Sequence, residues 1–190
     1  TFALNDPIVS FPTFCRLIQK AMEQGFLTGC STNGYLTERS VKKLIPALDF
    51  VNIGLKGASD ACYRACGAAD ADPVFRTIEH LYQAGVHGEV SLVCRKGGEE
   101  EVLAAARRIA GISKEIPLQL MRFVPFGDTA PGSEPTIYES ENLLGRLRQI
   151  LSWVYLFNSP GTRFLTTTCP VCGAECIPRE FFGPMGAHIK

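Results

Sequence analysis

Near the carboxyl end of the chain, Cys169-Pro170-Val171-Cys172-Gly173 places two thiols either side of a turn-forming pair. A tight turn of this kind aims both thiolates, with nearby backbone N–H groups, at one metal ion, and soft sulfur ligands suit zinc or an iron–sulfur cluster. Cys176 follows four positions later and His188 lies beyond the loop from Phe181 to Gly186, so three Cys and one His would close a tetrahedral site. The same residues could instead be reduced thiols in a flexible tail, or a redox-active Cys-x2-Cys pair. The redox alternative wants a strand–motif–helix context, and Pro178, Gly183, Pro184 and Gly186 forbid a long helix here.

A second set of chemically capable residues is spread along the chain, each just past a short apolar run. These are Asn5-Asp6-Pro7, Thr32-Asn33-Gly34, Lys56, Arg95 with Lys96, and Arg122. A mixture of carboxylate, amide, hydroxyl and cation suits a zwitterionic or polyfunctional small ligand, whose opposed charges need opposed partners in a dry cavity. The bland alternative makes each one a helix cap or a solvated loop residue. His80, inside a helical pattern, and His87, just before an apolar run, read as surface or boundary residues.

The elements that must hold these residues alternate. Phe11 to Gly25 places Phe14, Leu17, Ile18, Ala21 and Met22 at helical spacing, with Pro12 near the start and Gly25 past the end. Further helices are predicted from Thr37 with Val41, Leu44, Ile45 and Leu48 inward, and from Asp72 as N-cap with Pro73 at the first helical position and Gly85 as the stop. Two more follow, one opening on Glu99, Glu100 and Glu101 and one running from Glu139 to Trp153. Between them lie predicted strands at Phe2 to Leu4, Phe26 to Thr32, Phe50 to Ile53, Glu89 to Val93, Leu118 to Val124 and Val154 to Phe157. Strand–helix alternation at this length implies right-handed βαβ crossovers and a parallel sheet, which binds ligands beyond the carboxyl ends of its strands. The expected class is α/β, a partial parallel β/α (TIM-like) barrel over residues 1–160 with a short Cys-rich extension over 161–190.

Composition narrows the partners. The chain has 190 residues, 46% hydrophobic and 20% charged, and 19 Lys plus Arg balance 19 Asp plus Glu. No global field favours nucleic acid or a membrane surface. The run Leu147 to Phe157 is broken by Arg148, Gln149 and Ser152 and falls short of the roughly 20 apolar residues that span a bilayer. Eight cysteines without a secretory leader favour thiol or metal chemistry in a reducing cytoplasm over a disulfide framework. The start at Thr1, inside a strand, reads as a truncation.

The ordered series Asn5-Asp6-Pro7, Thr32-Asn33-Gly34-Tyr35, Asn52-Ile53-Gly54-Leu55-Lys56-Gly57 and Arg122-Phe123-Val124-Pro125 resembles the radical S-adenosylmethionine enzymes. The nearest branch is the pyruvate formate-lyase-activating-enzyme-like group, with its AmmeMemoRadiSam-type members. That resemblance implies a partial barrel, a [4Fe-4S] cluster, S-adenosylmethionine and a 5′-deoxyadenosyl radical, with a protein substrate such as a glycyl radical enzyme. It matches Asn5-Asp6-Pro7 to the family's grip on the methionine amino group, Thr32-Asn33-Gly34 to the block near the ribose, and Gly54-Leu55-Lys56 to an Asp-Leu-Lys block whose acid is lost here. Arg95, delivered by the fourth strand, and Arg122 also count among the cofactor-binding candidates. The family's cluster needs Cys-x3-Cys-x2-Cys after the first barrel strand, and that segment is absent. Cys62 and Cys66 have the first spacing, but Ala69 stands where the third ligand belongs, so they read as structural thiols, as do Cys15, Cys30 and Cys94. Members of the group also end in Cys-Pro-x-Cys-Gly. Two functions follow as expectations: a radical enzyme when full-length, this piece being inactive, or a non-catalytic zinc-binding module on a degenerate barrel.

Overall fold

The computed structural model describes residues 6–128, 132–181 and 187–189. It confirms the α/β class, with a five-stranded parallel sheet ordered as the strands occur in the chain: β1 (Gly29–Thr32), β2 (Phe50–Leu55), β3 (His87–Cys94), β4 (Leu118–Arg122) and β5 (Val154–Phe157). The backbone packs as two compact units, Thr1–Val90 and Ser91–Lys190. The expected strand at Phe2 to Leu4, and Asn5 with it, lies outside the described residues.

In the first unit a 3-10 turn, Pro7–Ser10, leads into α1 (Phe11–Glu23). Phe14 and Ile18 are buried as the helical spacing requires, whereas Leu17 and Met22 stay exposed. The expected five-residue stripe is therefore narrower than the periodicity implied. β1 pairs with β2 in parallel, Gly29 opposite Phe50 and Thr32 opposite Ile53. Between them α2 (Glu38–Leu44) is capped by Thr37, whose hydroxyl accepts the Ser40 N–H at 3.2 Å, and buries Val41 and Leu44. A short helix that the spacing did not reveal, α3 (Asp60–Ala65), follows β2 and is capped by Ser59.

α4 (Asp72–Gln83) corrects the expected cap. Asp72 is the first helical residue, Ala71 sits at the cap without a side-chain bond, and the Asp70 carboxylate accepts the Asp72 N–H at 3.2 Å. Asp70 thus performs at one remove the role assigned to Asp72.

The second unit holds α5 (Glu99–Ile112), β4, α6 (Ile137–Leu147) and β5. Three glutamates open α5, as the dipole favours. α6 begins earlier and ends earlier than its apolar pattern predicts. Thr136 and Glu139 form a reciprocal capping box that fixes the start. At the other end Leu147 O accepts N–H groups from both Ile150 and Leu151, and the Ser152 N–H turns away to Lys114 O, so the helical ladder stops. Leu118, Leu120, Leu144, Leu147, Leu156 and Leu165 form the core of this unit. Two small antiparallel hairpins finish it: β6 (Thr167–Thr168) with β7 (Glu175–Ile177), and β8 (Arg179–Phe181) with β9 (Ala187–Ile189).

Gly34 shows how tightly the β1 exit is built. Its φ is +71°, and a Cβ there would lie 2.8 Å from Ile53 Cγ2 and 3.0 Å from Val74 Cγ1. Gly34→Ala therefore meets both a left-handed backbone and a filled space, and is expected to cost about 2 kcal/mol, read as a lowered urea midpoint with unchanged slope.

Candidate functional site

The loops that follow the strands carry the polar residues in each unit. In the first unit the Asp6 carboxylate joins two of them. Asp6 Oδ1 accepts the Ile8 N–H at 3.2 Å and the Thr32 hydroxyl at 3.1 Å, and Oδ2 accepts the Asn33 N–H at 2.6 Å. The Thr32 hydroxyl in turn accepts the Gly34 N–H at 3.2 Å, and Asn33 Oδ1 accepts the Tyr35 N–H at 2.8 Å. Asp6, Thr32 and Asn33 are thus brought together as expected, and their polar atoms bond to one another. They form a buckle across 26 residues of sequence.

Lys56 stands on a different surface. In β2, Val51, Ile53 and Leu55 are buried, and the alternate residues Asn52 and Gly54 face the other way at intermediate exposure. Ser31 of β1 pairs with Asn52 on that second face. A Cβ built on Gly54 would lie 3.6 Å from Lys56 Nζ and 3.7 Å from Thr32 O, so the lysine folds back over the glycine. The result is a small polar stripe of hydroxyl, amide and ammonium, of which the sequence reading singled out only the lysine as a site residue. A period-two alternation of polar and apolar residues in 50–56 is the signal that marks Asn52.

Tyr63, which the sequence did not single out, and Tyr35, the last residue of the Thr32-Asn33-Gly34-Tyr35 block, buttress this region. The buried Tyr63 hydroxyl accepts the Lys56 N–H at 3.4 Å, and the two rings lie 6.3 Å apart. Cys30, on the core side of β1, has its thiol pKa pushed up to about 12, first by burial and then by the charge of Asp6. Burial, then Glu99, likewise raises Cys94 to about 11. These two thiols are protonated and inert at neutral pH, in line with their structural reading. Cys62 lies in α3 at intermediate exposure and Cys66 at its end is exposed.

In the second unit Arg122, the last residue of β4, is committed to backbone oxygens. Its Nε donates to Asn158 O at 2.9 Å and its Nη1 to Pro135 O at 3.3 Å, while Asn158 Nδ2 donates back to Arg122 O at 3.1 Å. Asn158 has a φ of +56°, the one positive value outside glycine among the described residues. The Asn158-Ser159-Pro160-Gly161 run after β5 is a turn signal that would have flagged it. Arg95 is exposed and lays its guanidinium over the Phe123 ring, 4.3 Å from the centroid. In the loop between β4 and α6, Glu134 Oε2 is buried without a hydrogen-bond partner, alone in this respect among the described side chains. Nothing in the spacing of Glu134 pointed to it.

The Cys-x2-Cys pair caps the β6–β7 hairpin. Cys169 N donates to Ala174 O at 2.8 Å, Gly173 N donates to Cys169 O at 2.9 Å, and Gly173 takes a φ of +74°. The Cys169 sulfur accepts backbone N–H bonds from Cys172 and Val171 and a bond from the Cys172 thiol, which together lower its pKa from the ordinary value. This is the expected knuckle. Cys176 lies in β7, exposed, with its thiol toward Ala174 O at 3.6 Å, and His188 lies in β9 opposite Glu180. Among the described residues no three His, Cys, Asp or Glu side chains stand together as a metal site.

A sequence model described as the Radical SAM superfamily matches residues 5–109. An uncharacterized protein of Methanocaldococcus jannaschii is 28% identical over 189 residues, covering 96% of this chain and 55% of that protein, so the chain spans about half the length of the curated relative it matches. A domain of pyruvate-formate lyase-activating enzyme from Bacteroides vulgatus superposes with a TM-score of 0.65 at 13% identity, over 82% of this chain and 96% of that one. Streptococcus suis SuiB bound to S-adenosylmethionine gives 0.61 at 11% identity, over 81% and 38%. SuiB bound to its precursor peptide SuiA gives 0.63 at 14%, over 80% and 36%. At these identities the structural likeness is one of fold.

If Asp6 is chiefly a buckle, its loss is felt without any ligand. Asp6→Ala is expected to lower the stability of the free chain by about 2–3 kcal/mol, measured by chemical denaturation, because three donors lose a charged acceptor. Unchanged stability would refute the structural role.

Proposed function

The chain belongs to the radical SAM superfamily, and we propose that in the intact protein it forms the barrel of an enzyme of the glycyl-radical-activating type. The carrying observation is the family match over residues 5–109, which contains the strand-end blocks at Asp6, Thr32-Asn33 and Lys56. In this family a [4Fe-4S] cluster and S-adenosylmethionine together supply a 5′-deoxyadenosyl radical. The superposition on an activating-enzyme domain supports that branch, and SuiB, bound to S-adenosylmethionine and to a peptide, supports a polypeptide as substrate.

The chain's own residues have definable tasks in this reading. Lys56, folded over Gly54, offers an ammonium to the carboxylate of S-adenosylmethionine. Asp6 holds Thr32 and Asn33 in place and so shapes the adjoining loops; Asn5, outside the described residues, joins them as a cofactor-binding candidate. Arg95 keeps an exposed guanidinium, supported by Phe123, for an anionic group of ligand or substrate. Arg122 fixes the exits of β4 and β5. Among the described residues no three His, Cys, Asp or Glu side chains stand together to hold that cluster.

The division into a barrel piece over 1–160 and a Cys-rich tail over 161–190 is part of the same proposal. In the tail Cys169 and Cys172 hold zinc or a second iron–sulfur cluster, with Cys176 and His188 as closing ligands. Hydrogen bonds to the Cys169 sulfur support this, since N–H donors stabilise a metal-bound thiolate. No helix among the described residues is long and apolar enough to cross a membrane. We place the protein in the cytoplasm, with no membrane or nucleic-acid partner.

Two measurements test this reading. The intact protein, reconstituted anaerobically with iron and sulfide, is expected to release 5′-deoxyadenosine from S-adenosylmethionine on reduction, and the 190-residue chain to release none. Intact protein without adenosyl cleavage refutes it. Separately, metal analysis of the purified chain is expected to find about one ion per chain, lost on combined Cys169→Ser and Cys172→Ser substitution.

A further inference from the structure

A cavity of about 410 Å³ lies wholly in the second unit, with Arg148, Trp153, Tyr155, Thr168 and Cys169 in its wall. Val154 opens β5, and the Trp153 carbonyl accepts the Leu118 N–H at 2.9 Å where β4 opens. The cavity therefore sits at the amino edge of these strands, opposite the end that carries Arg122. Its volume is that of a site for a small organic molecule.

What it would hold follows from which polar groups in its wall are already used. Glu115 accepts the Ser152 hydroxyl at 2.7 Å and the Trp153 indole N–H at 2.9 Å, so these groups are spent on one another. The Tyr155 hydroxyl pairs with that of Thr167 at 3.2 Å, and Thr166 Oγ1 accepts the Arg179 N–H at 3.3 Å. Two side chains keep donors free. The Thr168 hydroxyl has no partner among the described residues. Arg148, half-buried, gives only Nη2 to Val154 O, at a long 3.4 Å, and pairs with no carboxylate among the described residues.

The surroundings of Arg148 call for negative charge. Its guanidinium lies over the Phe164 ring, 4.9 Å from the centroid, and that of Arg163 lies over the same ring at 5.2 Å. Burial, and after it the like charge of Arg163, lower the Arg148 pKa, with Tyr155 opposing them. A guanidinium drawn partly out of water beside a second cation gains most from an anion, which its fork can take on two N–H groups at once.

We propose that this cavity binds a small organic anion, a carboxylate or phosphate ester on a flat apolar body, with the anionic group on Arg148, the Thr168 hydroxyl as a second donor and the body along Trp153 and Tyr155. The site is separate from the strand-end loops, so it stands whether or not the chain serves a radical enzyme.

The test is titration calorimetry of the intact protein with benzoate and with phenyl phosphate, beside benzyl alcohol as the uncharged ring and inorganic phosphate as the anion without one. At least one ring anion is expected to bind saturably and about tenfold or more tighter than either control, and the tighter of the two assigns carboxylate or phosphate. Arg148→Gln is expected to weaken that binding about tenfold, and Thr168→Val about threefold. Arg148→Lys, which keeps the charge and loses the fork, falls between wild type and Arg148→Gln. Trp153 is the single tryptophan of the chain, so the emission change on binding, taken as the difference between wild type and Trp153→Phe, reports a ligand beside it. Saturating S-adenosylmethionine is expected to leave the binding unchanged. No saturable binding of either ring anion, binding within twofold of wild type in Arg148→Gln, an unchanged Trp153 emission, or displacement by S-adenosylmethionine overturns the proposal. If Arg148→Gln does not fold, the uncharged control decides, and benzyl alcohol binding as tightly as both ring anions overturns it as well.

Discussion

A strand that must be followed by a parallel neighbour cannot return by a tight turn, and that constraint organises this molecule. Each strand leaves its sheet at the same edge and comes back through helical chain, so the residues just past the strands collect there whatever they are. Selection can then alter those loops without touching the core. The two faces of β2 show the division: Val51, Ile53 and Leu55 are sealed, and Asn52 and Gly54 are left for the opposite side. The pairs β6–β7 and β8–β9 lie outside this scheme, each held by short antiparallel pairing, and β6–β7 by a turn that sulfur and glycine shape.

Charge at the strand exits is mostly spent on architecture. The Asp6 carboxylate is bonded to a hydroxyl and two backbone amides, and two of the Arg122 guanidinium nitrogens to two carbonyl oxygens. Residues of these types look alike in sequence whether they await a ligand or hold a loop, because both tasks need a strong, directional partner. Lys56 and Arg95 differ, the one folded over Gly54 and the other exposed against the Phe123 ring.

Much of the fold was legible because its cues are local. Thr37 caps α2 as its position before the apolar stripe implies, and Val41 and Leu44 fall where the period puts them. α3 was hidden because six residues give less than two turns of periodicity, and its cap, Ser59, lies in a stretch rich in small residues. The shift of α6 came from Thr136 and Glu139, whose reciprocal bonds outweigh an apolar run continuing through Leu151. The site was legible as a set of residues and not as a set of bonds. Asp6 and Thr32 are 26 positions apart, and no spacing rule tells that one would take the hydroxyl of the other. Glu134 was invisible for the opposite reason, since what distinguishes it is a bond it lacks.

The buckle at Asp6 has a kinetic side. A loop that must be ordered by its ligand forfeits part of the binding free energy to the entropy of ordering, and waits for a rare conformation before it can close. Here the segment from Thr32 to Tyr35 is held by the carboxylate from one side and by the Asn33 turn from within. A molecule arriving at this exit meets a surface already in shape. The cost of shaping it was met once, when the chain folded.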